Sequence, residues 1–429
     1  MKSLKFFFIF IFTISLLNNF TNSQWVLQPT GTTTVLLDID YVSPQNGGLV
    51  LACGSNGNVY RSSNSGANWT QISTGITTSL SDIEFTDINT GYAAGSSGKI
   101  IKTVDGGLNW TVFNTDTANN YNCISFINTS TGFICGSGTS SAVILKTTNS
   151  GVNWSSSALT TQSNQLTSVF FTDVSSGWAA GYNGTSFIGS ILRTTNGGST
   201  WQDVLVSAQV ELFTDIFMIN SSSGFTSSSI NISKTTNGGI NLNPSFVPAN
   251  TQLDLEFINA STGYSCGAPG LVYKTTNNGL NWVQQTAPGG SIPLRTVSMI
   301  GDTGFICGAN GTILKTTNGG QIPTAVQNLT GEIPEKFSLG QNYPNPFNPS
   351  TKISFSIPLL RGVSEGRGVF TSLRIYNILG KEVALLVNEN LSAGNYSIDF
   401  NAVSIPSGTY FYRLTAGSFA DTKKLVLIK

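Results

Sequence analysis

The chain contains no histidine, and charged residues make up only 10% of its 429 positions. Without histidine, the sequence excludes Ser-His-Asp and Cys-His nucleophile systems and every histidine-ligated metal site. It also lacks a CxxC pair, a Walker A motif and a GxGxxG phosphate loop. The 21 basic residues are balanced by 21 acidic ones and do not cluster, so nothing favours nucleic-acid binding. We therefore predict no cofactor, no metal site and no nucleic-acid partner.

Long apolar runs are also scarce, and the one at the amino terminus is short. Lys2 and Lys5 precede an apolar run over residues 6–17, which is followed by polar residues and a cleavage site after Ser23. A run of this length is too short to span a bilayer. The pattern is typical of a secretory signal peptide over residues 1–23. We expect an exported protein without a transmembrane segment, because no later stretch is long and apolar enough to span.

What the chain has instead is a repeat. One phrase returns seven times between Ser62 and Pro323: Ser or Thr, any residue, Asp or Asn, any residue, Gly, two residues, then usually Trp. Self-similarity at about 40 to 45 residues is typical of β-propeller blades. The third position of the phrase is occupied by Asn64, Asp105, Asn149, Asn196, Asn237, Asn277 and Asn318.

The residue types of the phrase suit a tight turn. Its glycine supplies the positive φ that a hairpin tip needs, at no steric cost. The Asn or Asp side chain and the Ser or Thr hydroxyl hydrogen-bond with the backbone of the turn. The Trp then lies on the outgoing strand and fills the space between blades. We therefore interpret the third-position Asn and Asp residues as structural.

The ends of the repeat indicate how the ring closes. Each unit has four strand-like segments with period-2 alternation. Trp25 begins WVLQPTG, which mimics WTQISTG from Trp69, whereas the last copy ends at Pro323 without a Trp strand. The amino-terminal strand is therefore predicted to complete the seventh blade, which removes two open sheet edges. The sequence predicts an all-β fold with a seven-bladed β-propeller over residues 24–323.

The phrase resembles the Asp-box, or BNR, repeat of sialidase-like and sortilin-like propellers and of the photosystem II assembly-factor propeller family. The seven in-register copies extend that resemblance over the whole predicted propeller. It implies the propeller fold and a protein-binding role. A photosynthetic role for an exported chain does not follow from it.

A different pattern begins after a predicted linker over residues 324–336. FSLGQNYPNPFNPSTKISFSIP is followed by LRIYNILGKEV, LSAGNYSIDFNA, PSGTYFYRL and KKLVLIK, a series of alternating strands typical of a small Ig-like β-sandwich. These motifs resemble the type A sorting domain of the type IX secretion system. The resemblance implies that the type IX secretion machinery recognises residues 337–429. It also implies a protein that is secreted or attached to the outer-membrane surface of a Gram-negative bacterium. The loop 361–368 departs from the family, and we interpret it as a surface insertion.

Four of the five cysteines occupy the same position on the second strand-like segment of their repeat units, where other units have Ala or Ser. We interpret them as small packing residues: Cys53, Cys135, Cys266 and Cys307. Cys123 is the exception. A hairpin that pairs Phe126 with Gly132 places Cys123 opposite Cys135. A disulfide between these two is one alternative, and two free thiols are the other.

The candidate binding residues are acidic side chains that recur on the first strand-like segment of each repeat unit, which we call the inner strand. Residues two apart on a strand point to one face, so each pair faces the axial channel or a blade interface. The first slot holds Asp38, Asp82, Asp215 and Asp254, and the second holds Asp40, Glu84 and Glu256. Their repetition favours a shared structural role. The functional alternative is an acidic channel mouth that binds a cation or a sugar.

Two functions are compatible with this sequence. The first is a non-enzymatic module that binds an extracellular protein or glycan, and the second is an Asp-box-type glycoside hydrolase with paired carboxylates. The arginine cluster that sialidase-like chemistry needs is missing, because the propeller holds only Arg61, Arg193 and Arg295. Nearly every Trp and charged residue falls in a repeat slot, which favours binding. We therefore predict that the protein is not an enzyme.

Overall fold

The computed structural model describes residues 24–45, 47–115, 118–246, 251–320, 327–328, 334–359, 369–402 and 405–429. The predicted signal peptide and the loop 361–368 lie outside these residues, as does most of the predicted linker. The fold is all-β, as the sequence predicted. In the described part, the helical segments are three short 3-10 turns: η1 (Ser55–Gly57), η2 (Ser96–Gly98) and η3 (Ala309–Gly311).

Twenty-nine of the described strands belong to the repeat region. The first fifteen are β1 (Val26–Gln28), β2 (Leu36–Ser43), β3 (Leu49–Gly54), β4 (Val59–Ser62), β5 (Thr70–Ile72), β6 (Leu80–Phe85), β7 (Gly91–Gly95), β8 (Lys99–Thr103), β9 (Thr111–Asn114), β10 (Asn120–Phe126), β11 (Gly132–Ser137), β12 (Ala142–Thr147), β13 (Ser155–Ser156), β14 (Ala158–Thr160) and β15 (Gln165–Phe171). The others are β16 (Gly177–Tyr182), β17 (Ile188–Thr194), β18 (Thr200–Val210), β19 (Phe213–Met218), β20 (Gly224–Ser228), β21 (Ile232–Thr235), β22 (Asn243–Phe246), β23 (Gln252–Phe257), β24 (Gly263–Gly267), β25 (Leu271–Thr275), β26 (Val283–Gln285), β27 (Leu294–Ile300), β28 (Thr303–Gly308) and β29 (Ile313–Thr316).

These strands pair into seven sheets within the described residues. We number them blades 1 to 7: β2–β5, β6–β9, β10–β13, β14–β18, β19–β22, β23–β26, and β27–β29 with β1. Pairing is antiparallel except that β14 runs parallel to β18. The first antiparallel strand of each blade contacts those of the two neighbouring blades, and β27 contacts β2. The sheets therefore form a closed ring.

The amino-terminal strand completes blade 7, as the sequence predicted. Val26 lies opposite Lys315, so β1 is the outer strand next to β29. Trp25 is fully buried in a core cluster with Tyr264, Leu294 and other apolar residues of blades 6 and 7. Burial of so large a side chain is worth several kcal/mol, of order 3–5, and fixes the first strand in the last blade.

Every inner strand carries a β-bulge at the same place. The pairing with the second strand skips one residue there, so the side chains that follow are re-aimed. The skipped residues are Leu37, Ser81, Asn122, Thr167, Thr214, Leu253 and Arg295.

The carboxyl-terminal strands form a β-sandwich of two antiparallel sheets. Its strands are β30 (Gln327–Asn328), β31 (Ser338–Leu339), β32 (Ser350–Ile357), β33 (Val369–Asn377), β34 (Glu382–Leu391), β35 (Gly394–Asn401), β36 (Gly408–Ala416) and β37 (Phe419–Leu427). Both sheets contribute to one core, for example Phe355 from β32 and Tyr412 from β36. Strand β30 lies within the range predicted as linker and pairs with β35.

Candidate functional site

The Asx residue of each repeat phrase is hydrogen-bonded within its own turn. In blade 3, the Thr147 hydroxyl donates to Asn149 Oδ1 at 3.0 Å and accepts the Gly151 N–H at 2.9 Å. Asn149 Oδ1 also accepts the Asn153 N–H at 2.9 Å. The same two bonds of the hydroxyl recur in the other six turns, at Asn64, Asp105, Asn196, Asn237, Asn277 and Asn318.

Six of the seven cations that precede the phrases donate a hydrogen bond to a backbone carbonyl of the next blade. Lys146 Nζ, for example, donates to the Gly197 carbonyl at 2.6 Å and lies 5.7 Å from the centroid of the Phe133 ring. Lys102 and Lys315 make the equivalent bonds to Ser150 and Ser65. We call these hydrogen bonds from a cation to a carbonyl of the next blade the outer belt. Because Lys315 belongs to blade 7 and Ser65 to blade 1, the outer belt continues across the closure of the ring.

The four acidic residues of the first inner-strand slot each accept a backbone N–H from the next blade. Asp82 Oδ2, for example, accepts the Ile124 N–H at 2.7 Å. The others are Asp38 with Ile83 at 2.8 Å, Asp215 with Leu255 at 3.0 Å and Asp254 with Val297 at 2.8 Å. Each carboxyl group therefore joins two inner strands.

The second slot repeats this arrangement. Asp40 Oδ2 accepts the Phe85 N–H at 2.8 Å, and Glu84 Oε2 accepts the Phe126 N–H at 2.9 Å. In Glu256, Oε2 is buried and has no hydrogen-bond partner within the described residues.

Small polar residues occupy the same slots where the acid is missing. Thr296 Oγ1 accepts the Ile39 N–H at 3.2 Å, and Ser168 Oγ accepts the Ile216 N–H at 3.4 Å. Cys123 completes the set, with its thiol 3.8 Å from the Val169 carbonyl oxygen. The first slot thus forms an inner belt of seven blade-to-blade contacts. Sequence reasoning missed its neutral members because it followed charge, although their repeat position was visible.

The inner strands enclose an axial cavity of about 690 Å³. Six of the seven predicted acids line it, and Glu256 does not: the six are Asp38, Asp40, Asp82, Glu84, Asp215 and Asp254. The bulge residues line it as well, and among them Arg295 is the one basic side chain of the described lining. The structure therefore brings most of the predicted site together.

Burial and mutual repulsion raise the pKa values of several of these carboxyl groups. Burial raises the pKa of Asp40 to about 7 against the opposing Phe85 N–H bond, and nearby Asp38 raises it further. Burial, then Asp38, raises the pKa of Asp82 well above its ordinary value. Burial, then Asp40, does the same for Glu84. Like charges placed this close cannot all ionise. The cavity is therefore less negative than its count of acids.

Cys123 and Cys135 lie directly opposite each other on β10 and β11, which is the register predicted for them. Both thiols are free in the structure. A hydrogen bond with Cys135, followed by burial, raises the pKa of Cys123 well above its ordinary value. Within the described residues, no group of three or more His, Cys, Asp or Glu side chains is arranged to hold a metal ion. Among the same residues, no helix has the length and apolar character to cross a membrane.

The chain is similar to solved propeller structures at low sequence identity. One, described as YCF48 bound to D1 peptide, has a TM-score of 0.57 and 16% identity over 69% of this chain and 97% of that one. YCF48 from Cyanidioschyzon merolae gives 0.54 and 18% over 68% and 98%. PorZ, described as an essential bacterial surface component of the type-IX secretion system of Porphyromonas gingivalis, gives 0.53 and 13% over 91% and 59%. These likenesses show the fold.

Sequence families assign both parts of the chain. No curated protein sequence matches it significantly. Residues 341–429 match the secretion system C-terminal sorting domain, which implies that the protein is secreted. Residues 61–240 and 240–339 match the family described as photosynthesis system II assembly factor YCF48. Because this second match spans more than half of the chain, the protein belongs to the YCF48 family of propellers.

Proposed function

We propose that the protein is a non-enzymatic binding module for an extracellular protein or glycan, secreted or held at the surface of a Gram-negative bacterium. Residues 1–23 serve as its signal peptide and residues 337–429 are its address to the type IX secretion machinery. A linker over 324–336 follows a propeller over 24–323. Mass spectrometry of the exported protein tests the first boundary, because cleavage after Ser23 leaves Gln24 as the first residue.

The observation that carries this proposal is the engagement of the channel acids between blades. Six of the seven predicted acids accept a backbone N–H from the next inner strand. A carboxyl group in that position stabilises the ring and is not free to move toward a substrate. The Asx residues of the repeat phrases are likewise occupied inside their turns. The acidic and Asx side chains of the repeat thus stabilise the fold. Recognition of a partner is therefore assigned to the loops and grooves.

Two relatives support a binding role. One solved YCF48 structure is described as bound to a peptide, and PorZ is described as a surface component of the type IX system. Both descriptions fit a propeller that recognises other molecules. Here the sorting domain supplies the export route.

The alternative is an Asp-box-type glycoside hydrolase, and one observation favours it. Asp40, with its pKa near 7, lies in the cavity together with Glu84, and a glycosidase needs one carboxyl that keeps its proton at neutral pH. The two functions are separated by testing the exported protein on a glycan array, a peptide array and a glycosidase panel. We expect binding without turnover. Turnover that disappears in Glu84→Gln would establish the hydrolase instead.

A further inference from the structure

The interface between blades 4 and 5 differs from its neighbours because its Trp slot holds Leu242. In blade 4 the slot residue Trp201 packs against Phe133 and Phe171. In blade 6, Trp282 packs against two phenylalanines in the same way. Leu242 is smaller, and a cavity of about 830 Å³ lies beside it. We call this cavity the blade 4–5 groove; residues 204–209 of β18, Glu211 and residues 240–244 are among those that line it.

Glu211 is a buried carboxylate that faces this groove. Only 5% of its surface is exposed. Oε2 accepts a hydrogen bond from the Ser207 hydroxyl at 3.3 Å, whereas Oε1 is buried without a partner within the described residues. No other acidic or basic side chain is among the described residues of the lining. A buried carboxylate oxygen without a donor is costly, and a cationic ligand would satisfy it.

The wall of the groove offers a free strand edge. Strand β18 is the longest strand of the described propeller, and β14 pairs with it only at residues 200–202. Beyond Asp203, whose carboxylate binds Thr161 and Gln162, the outer edge of β18 has no backbone partner in the described part. Val206 and Val210 stand exposed along it. An edge of this kind accepts an extended peptide as an additional strand.

We propose that the blade 4–5 groove binds an extended peptide that places a lysine ammonium or arginine guanidinium against Glu211, with its backbone alongside β18. This inference rests on the proposed binding function and names its partner as a basic polypeptide. The Glu211 carboxylate supplies charge recognition and the strand edge supplies backbone hydrogen bonds. Val206, which is exposed and lines the groove, supplies an apolar contact.

The test uses an array of synthetic peptides that each carry a single lysine, next to the same peptides with that lysine acetylated. The full exported chain is the probe. We expect lysine and arginine peptides to bind and the acetylated ones to lose affinity by about tenfold or more, since truncating one partner of a buried charge pair has an effect of that size. Glu211→Gln should cause the same loss. Asp302→Asn, which removes an exposed acid elsewhere on the propeller, is the matched control and should bind normally.

A second variant guards against misfolding. Leu242→Trp restores the repeat residue and fills the groove, so it should abolish peptide binding while the protein stays folded. Unchanged binding in Glu211→Gln, or equal binding of acetylated peptides, would overturn the inference. If glycans or uncharged peptides bind and basic ones do not, this inference fails while the proposed binding function stands. If nothing binds on the peptide array or on the glycan array, both this inference and the proposed binding function fail.

Discussion

Trp25 packs edge to face against Tyr264, with ring centroids 6.3 Å apart, and so brings the start of the propeller into contact with blade 6. The Trp25 side chain occupies the position that the seventh repeat phrase leaves without a tryptophan. The contact therefore belongs to the closure of the ring.

Trp25→Ala is expected to lower the free energy of unfolding by about 3–5 kcal/mol, because it removes a fully buried indole. Urea unfolding followed by fluorescence measures this loss. Leu27→Ala is the control on the same strand; its side chain is 52% exposed, and the change should stay within about 0.5 kcal/mol. Equal stability of Trp25→Ala and wild type would contradict closure through β1.

Asp82→Ala should destabilise the propeller by about 1–3 kcal/mol, because it leaves the Ile124 N–H without its acceptor. Asp82→Asn keeps an acceptor oxygen and is neutral. Because burial raises the pKa of Asp82 and so disfavours its charged form, the Asn variant should lose less stability than the Ala variant. Equal losses in the two variants, measured by urea unfolding, would show that charge rather than the hydrogen bond matters there.

Stability should fall as pH rises from about 4 toward 8. The pKa of Asp40 is raised to about 7, so the folded state binds a proton that the unfolded chain releases near pH 4. Its contribution is fully present below the unfolded pKa and is lost as pH rises through the folded pKa. Urea midpoints at pH 5 and pH 8 measure the slope. Asp40→Asn should reduce the slope without abolishing it, because the pKa values of Asp82 and Glu84 are raised as well. An unaltered slope in that variant would exclude Asp40 as a source.

Lys146→Met should cost about 1–3 kcal/mol, because it removes a charged hydrogen bond to the Gly197 carbonyl and a cation above Phe133. The control is Lys352→Met, which breaks an exposed pair with Asp399 at 3.4 Å and should cost at most about 1 kcal/mol. Thermal unfolding of the two variants separates the outer belt from ordinary surface charge. Similar melting curves would argue against the belt.

Removal of residues 337–429 should stop export at the outer membrane, since these residues carry the sorting match. Immunoblots of periplasm, cell surface and medium locate the truncated protein, which we expect in the periplasm. Tyr412→Phe asks whether the folded sandwich is needed. Its hydroxyl donates to the Gly340 carbonyl at 2.7 Å and accepts the Asn342 N–H at 2.8 Å. Normal surface delivery of the truncated chain would contradict the assigned route.

The repeat period made the propeller and its closure predictable from sequence, because each repeat carries its own turn phrase and strands, and five of the seven phrases also end in tryptophan. The register of Cys123 against Cys135 followed from the same periodicity. The sequence placed the acids on one face of the inner strands. It did not decide whether that face points to the axial channel or to a blade interface. That choice depends on the bulge before each slot, and a bulge is set by pairing with the second strand.

The blade 4–5 groove was beyond sequence reasoning for a different reason. Leu242 in the Trp slot is visible in the alignment of repeats, yet the groove also needs the full length of β18. That length comes from pairing with β17 as far as Ile188 opposite Val210. The burial of Glu211 then follows from tertiary packing, and no local pattern announces it.

The pairing of β1 with β29 also leads us to expect an order of folding. A chain made from its amino end presents Val26 long before Lys315, its partner in the finished sheet. Blades 1 to 6 each consist of strands that are consecutive in sequence, so they can assemble before β1 pairs with β29. Because the pairing of β1 with β29 joins residues far apart in sequence, we expect it to form more slowly than the hairpins within each blade. A factor that held this segment unpaired during export would delay the completion of the ring.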